Sequence, residues 1–213
     1  MAAPSLVQLP SLDEVHKSTS EDGWSALKKV VSTLFEHSPV LDERLVPDLA
    51  SSSSTFTSYT GIIDRSAIII RSWPPTLQSA FISGHPRIGE QNPKQLSALS
   101  ESEQAKYFTP SWVIERLGWL NEVYEGKYPG LRYITFVNGR TRREVMEEME
   151  NALGAENARG PEWKGGECSS VGETSGEKRV QEGGQEWLKE LERAVGEVIL
   201  IAKDRVKKLS LGC

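Results

Sequence analysis

Gly84-His85-Pro86-Arg87-Ile88-Gly89 places a histidine in a turn bracketed by glycines and stiffened by a proline. Fifteen residues after His85 begins Ser100-Glu101-Ser102-Glu103-Gln104, in which either serine can cap a helix starting near Glu103. An imidazole and a carboxylate beside helix boundaries are the minimum equipment for moving a proton near neutral pH. His85 and Glu103 are therefore the candidate acid–base pair, provided that folding brings them together. Taken singly, they have plainer readings. His85 reads first as a loop histidine bonding the backbone, and Glu103 and Gln104 as first-turn residues suited to the helix dipole. His16 and His37 read as structural, and three histidines without His-x-x-x-His spacing predict no metal site. Arg205 follows Ile201 by four residues and Val198 by seven. It reads either as one more surface base or as a side chain turned into a cleft.

The elements that must carry these residues are helical by periodicity. Pro10 to Glu14 opens a short helix, with Ser11 as N-cap and Glu14 completing a capping box. Trp24, Leu27, Val30, Val31, Leu34 and Phe35 make one apolar stripe over residues 23–36. Leu41 to Leu49 predicts another short helix, Thr57 to Trp73 a buried one, and Pro75 to Ser83 a third that ends at Gly84 in a left-handed C′ position. Thr109-Pro110-Ser111 starts a long helix through about Tyr124. Tyr133 to Val137 is the one clear extended segment, and Asn138-Gly139 a turn. Thr141 caps a helix through Leu153, with Glu144 closing a second capping box, and a last helix runs from about Gln185 to Leu209. Residues 154–184 are rich in glycine and charge and poor in aliphatics, which predicts a disordered or mobile insertion. The expected fold is all-α: a single-domain multi-helix bundle over residues 1–213, interrupted by that insertion.

Composition narrows the function. With 38% hydrophobic residues, 213 residues suffice for one sizeable core. A net charge of −5 with mixed signs gives no bulk attraction to nucleic acid. Cys168 and Cys213 are too few for a disulfide scaffold and sit in no activating context. The strongest apolar runs, Ala67 to Ile70 and Val198 to Ala202, are too short to span a bilayer, and the N-terminus predicts no secretory leader. Ser210-Leu211-Gly212-Cys213 is not a Ser-Lys-Leu-type address, so cytoplasm is the expected compartment, with peroxisome left open. No Gly-x-Ser-x-Gly elbow stands out, and the glycine-rich stretches lack a phosphate-loop context.

Several of these patterns occur in one order: Phe35-Glu36-His37-Ser38-Pro39, the His85-Pro86 turn, Ser100 to Gln104, Asn121-x-x-Tyr124, Tyr133 to Arg140, and Ile201-Ala202-x-x-Arg205-Val206. In this the chain resembles the 2-oxo-4-hydroxy-4-carboxy-5-ureidoimidazoline (OHCU) decarboxylase family, which completes the urate-to-allantoin route. The resemblance spans nearly everything except the glycine-rich insertion, and the His-Pro turn followed by Ser-x-x-Glu-Gln is its most specific part. It implies an all-helical, cofactor-free, homodimeric enzyme acting on a small ureidoimidazoline. His85 would take the catalytic histidine position, with Glu103 and Arg205 as its catalytic companions. Pro86, Ser100, Gln104, Phe136, Val137, Asn138 and Gly139 would contact substrate. Two other readings fit the same residues: a non-catalytic helical interaction module, and a different small-molecule lyase or hydrolase on the same scaffold.

Overall fold

Apolar residues spaced three and four apart give a helix one buried face, and this chain repeats that pattern in its main helices. The computed structural model describes residues 8–18, 22, 24–52, 56–91, 99, 109–155 and 179–210, and among them there is no β-strand. The helices in chain order are α1 (Leu12–Lys17), α2 (Ser25–Phe35), a π-helical turn (Leu41–Leu45) running into α3 (Val46–Ala50), α4 (Tyr59–Ser72), α5 (Pro75–Ile82), α6 (Ser111–Lys127), α7 (Arg142–Leu153) and α8 (Gln185–Ser210). The fold is all-α, as the periodicity predicts. The chain forms two compact units, one of residues 1–85 with 191–213, the other of residues 86–190.

In the first unit the stripe of α2 buries Val30, Val31, Leu34 and Phe35 almost completely. Ile62, Ile63 and Ile70 of α4 are equally buried, as are Ala194, Val195, Val198 and Ala202 of α8. Helix α4 wins over the strand that its isoleucines favour locally, because those positions line one side of a helix. Ser58 caps it, its Oγ accepting from the Gly61 amide at 3.0 Å. Lys203 of α8 reaches Asp64 of α4 at 2.8 Å. The expected short helix at 41–49 is split. Pro47 has no amide to give the carbonyl of residue 43, and the Val46 amide instead bonds the Leu41 carbonyl in a wider turn.

In the second unit α6 and α7 bury Val113, Leu117, Leu120, Val145 and Met149. Arg116 fastens them: its Nε donates to Glu150 Oε1 at 2.6 Å and its Nη2 to the Ala155 carbonyl at 3.0 Å, just past the end of α7. Trp187 is 2% exposed, and its indole N–H donates to the Pro129 carbonyl at 2.9 Å. Thr141 and Glu144 form the expected capping box, and Gly154 ends α7 in the left-handed region at φ 64°.

Two expectations fail. Tyr133 to Val137 is not a strand, for no second strand pairs with it among the described residues. Both Asn138 (φ 48°) and Gly139 (φ 80°) are left-handed, with the Arg140 amide bonding the Val137 carbonyl at 2.9 Å. That is a hairpin-type turn. Beyond it the chain enters α7 instead of returning as a strand, and Tyr133 and Thr135 bond Glu148 of that helix. Nor is Gly84 left-handed: the positive-φ glycines do not include it. Its need for glycine is steric, as described below. The expected helix near Glu103 and most of the 154–184 insertion lie outside the described residues.

Removing the α4 cap with Ser58→Ala should cost about 1 kcal/mol in urea unfolding. The Thr141 amide and hydroxyl hold the Glu144 carboxyl below the usual glutamate range. The stability it adds is therefore present above that range and lost as pH falls through the lowered value. The Thr141 amide signal should follow this titration, and Glu144→Gln should abolish the pH dependence.

Candidate active site

His85 lies three residues past the end of α5, where the backbone tightens into successive turns. The Gly84 amide bonds the Phe81 carbonyl at 3.1 Å and the His85 amide bonds the Ile82 carbonyl at 3.0 Å. The histidine is 3% exposed. Its ring meets the Phe81 ring edge-on, centroids 6.1 Å apart. Phe81 in turn meets Phe35 at 6.0 Å and Trp73 at 6.2 Å, both also edge-on. Such aromatic pairs each add about 0.5–1.5 kcal/mol beyond their buried area, and they fix ring orientation. Gly84 is pressed against the segment after α2: a Cβ there would lie 2.7 Å from the Ser38 Cβ. Ser38 is itself buried, and its Oγ and carbonyl accept from the Leu41 amide at 3.3 and 3.1 Å.

Arg205 lies in the same unit and is 1% exposed, so it is not a surface base; it is buried against the end of α2. The carboxylate it holds is Glu36, at 2.6 Å from Nη2. Its Nη1 donates to the Thr33 and Leu34 carbonyls at 3.3 Å each, in the last turn of α2. A cation at a helix C-terminus suits the dipole, and it satisfies carbonyls that have no helical partner. Glu36 is buried too and adopts φ 63°, ψ 151°. That backbone region is essentially reserved for glycine and costs about 1–3 kcal/mol. Removing one member of a buried pair like this one costs about 3–5 kcal/mol, because the other charge is left uncompensated. Glu36 is the residue that sequence reasoning missed. Its only signal was an acid directly after a helix end in the Phe-Glu-x-Ser-Pro pattern.

The second unit begins at Pro86 and carries the rest of the glycine-bracketed turn. Arg87 grips Glu125 of α6 with two bonds, 2.8 Å from Nε and 2.5 Å from Nη2. Asn121 donates from Nδ2 to the Ile88 carbonyl at 3.1 Å. Gly89 has φ 81° and lies so close to Leu117 that a Cβ would sit 3.1 Å from that side chain. Arg140 folds back on residues 135–137: it donates to the Phe136 carbonyl, to the Val137 carbonyl at 3.0 Å and to Thr135 Oγ1 at 3.0 Å, and pairs with Glu148. The turn therefore holds its shape while Asn138 and Gly139 stay exposed. Their amides bond no acceptor among the described residues.

Ser100, Glu103 and Gln104 lie outside the described residues, so the expected meeting of His85 with Glu103 does too. His37 is exposed and contacts Asp42 at 3.0 Å. Among the described residues, no group of three or more His, Cys, Asp or Glu could hold a metal ion. No described helix is long and apolar enough to cross a membrane.

A protein-family model described as OHCU decarboxylase matches residues 24–164, which is 141 of the 213 residues counted inclusively. No curated protein matches the chain.

The reading of Gly84 can be checked against a second glycine. Gly84→Ala should destabilise by about 1–3 kcal/mol through overpacking on Ser38. Gly118→Ala, inside α6 with open space where a Cβ would go, should stabilise by about 0.5–1 kcal/mol. Paired urea titrations give both signs.

Proposed function

The chain belongs to the OHCU decarboxylase family, and from that premise we propose that it converts OHCU to (S)-allantoin by cofactor-independent decarboxylation in urate breakdown. The observation that carries this reading is the setting of His85: a buried imidazole on a tightened turn, its ring braced by Phe81, inside the matched segment.

The chemistry asks little of a protein beyond orientation and one proton. Breaking the bond between the ring carbon and the carboxylate sends its electron pair into the adjacent C=N unit. The nitrogen of that unit then takes a proton, its ureido-bearing carbon takes another from one face, and the hydroxyl on the carbon that lost CO2 gives one up as it becomes the ring carbonyl, a net uptake of one proton. No external electron sink is needed for that sequence. A histidine held in one orientation and shielded from bulk water suits a transfer to a single face, which is what a single-handed product requires. Glu103 would orient the substrate hydroxyl or pair with His85. Pro86 fixes the turn, and Ser100 and Gln104 would bind substrate, as the family implies. The exposed amides of Asn138 and Gly139, in the loop that also holds Phe136 and Val137, are donors of the kind that ureido and ring carbonyls accept. Arg205 enters through its hold on Glu36 and α2. A guanidinium closed tightly on the reacting carboxylate would favour the ground state and slow CO2 loss. A homodimer in the cytoplasm completes the proposal.

The test is purified protein added to freshly generated OHCU, with substrate followed by absorbance and product by circular dichroism. Accelerated decay to optically active allantoin is the expected result. Decay at the spontaneous rate to racemic product would refute the proposal and favour an interaction module or a different lyase. His85→Asn should lower kcat by about 10²–10⁴-fold, the usual range for general acid–base help. Near-full turnover in that variant removes His85 from the mechanism.

A further inference from the structure

We infer that Glu36, clamped by Arg205, is a positioning residue for His85, an inference that rests on the reading of His85 as the acid–base group. A glutamate occupies a backbone conformation that glycine would adopt freely. Such conformations persist only where the surroundings over-determine them. Here the over-determination is visible: the Glu36 carboxylate is held 2.6 Å from a guanidinium that is 1% exposed, and the same guanidinium closes the last turn of α2. A buried ion pair is weak grounds for stability, since well-packed apolar residues often serve as well. What the pair secures is geometry.

Two short routes carry that geometry to the histidine within one unit. Phe35, the residue before Glu36, packs against Phe81, and Phe81 packs against the His85 ring. Ser38, two residues beyond Glu36, lies against Gly84, the residue before His85. The sharp bend at Glu36 brings both neighbours to bear, one from the helix and one from the segment that leaves it. Relaxing the bend would therefore loosen the ring wall and the turn together.

The experiment uses the full chain with three variants. Glu36→Gln keeps the shape and removes the charge. Arg205→Lys keeps the charge and loses the planar fork. The double variant Glu36→Leu/Arg205→Met removes the pair and keeps the volume. Two readouts are taken: kcat and KM on OHCU, and the imidazole NMR signal of His85, identified among the three histidines by its loss in His85→Asn. In folded variants kcat should fall by about 10²-fold, the loss that an ångström-scale misplacement brings. KM should stay near its wild-type value, and the His85 signal should shift or broaden. A folded double variant with wild-type kcat and an unchanged His85 signal overturns the inference. Should the double variant not fold, the same two readouts on Glu36→Gln and Arg205→Lys decide. If His85→Asn retains turnover, the acid–base reading fails by itself. The His85 signal then judges the clamp: movement in the variants upholds it and an unchanged signal refutes it.

Discussion

A guanidinium and a carboxylate cannot leave water separately at any tolerable cost, and the first unit is organised around the place where two of them leave it together. Arg205 and Glu36 are 169 residues apart in sequence and 2.6 Å apart in space. The contact sets the register between α8 and the end of α2, and it holds a backbone bend that nothing local favours. The packing of Phe35 on Phe81 and of Ser38 on Gly84 follows from that bend. The second unit uses the same device: Arg116 pairs with Glu150 and donates to the carbonyl of Ala155 past a helix end. In both, one arginine neutralises an acid and donates to backbone oxygen at a helix end: Arg205 to two carbonyls in the last turn of α2, Arg116 to one just beyond α7. Arginine can do this because its fork presents five donors at fixed angles.

The fold was legible wherever local rules and burial agree. The boxes at Ser11/Glu14 and Thr141/Glu144 were readable because cap and partner lie three residues apart. The stripes of α2, α4 and α8 were readable because each repeats over several turns. Tyr133 to Val137 misled because β-propensity measures fit to a pleated surface, and no neighbouring strand supplies one here. Gly84 misled because glycine serves two needs, positive φ and close approach, and only coordinates reveal a Ser38 in contact.

The site was legible unevenly, for related reasons. His85 announces itself through the glycines and proline around it, and it is buried in a defined aromatic setting. The turn at Asn138-Gly139 follows from residue type alone. Arg205 was visible as a base near an apolar stripe, but its partner was not, because the pairing of two residues 169 apart has no local trace. Glu36 was hidden further: a strained backbone is invisible in a residue whose type argues against it. The family match over residues 24–164 covers His85 and Glu36 and stops short of Arg205.

The split of the first unit into residues 1–85 and 191–213 has a consequence during synthesis. Glu36 leaves the ribosome 169 residues ahead of the guanidinium that holds it, and all of residues 86–190 emerge in between. The contiguous unit can condense as it is translated, whereas the earlier-made one must wait. Until α8 arrives, α2 has open carbonyls at its end and the following residue is free to relax into an ordinary conformation. The nascent chain therefore carries its histidine in an unfinished socket, which closes only when translation has moved well past it.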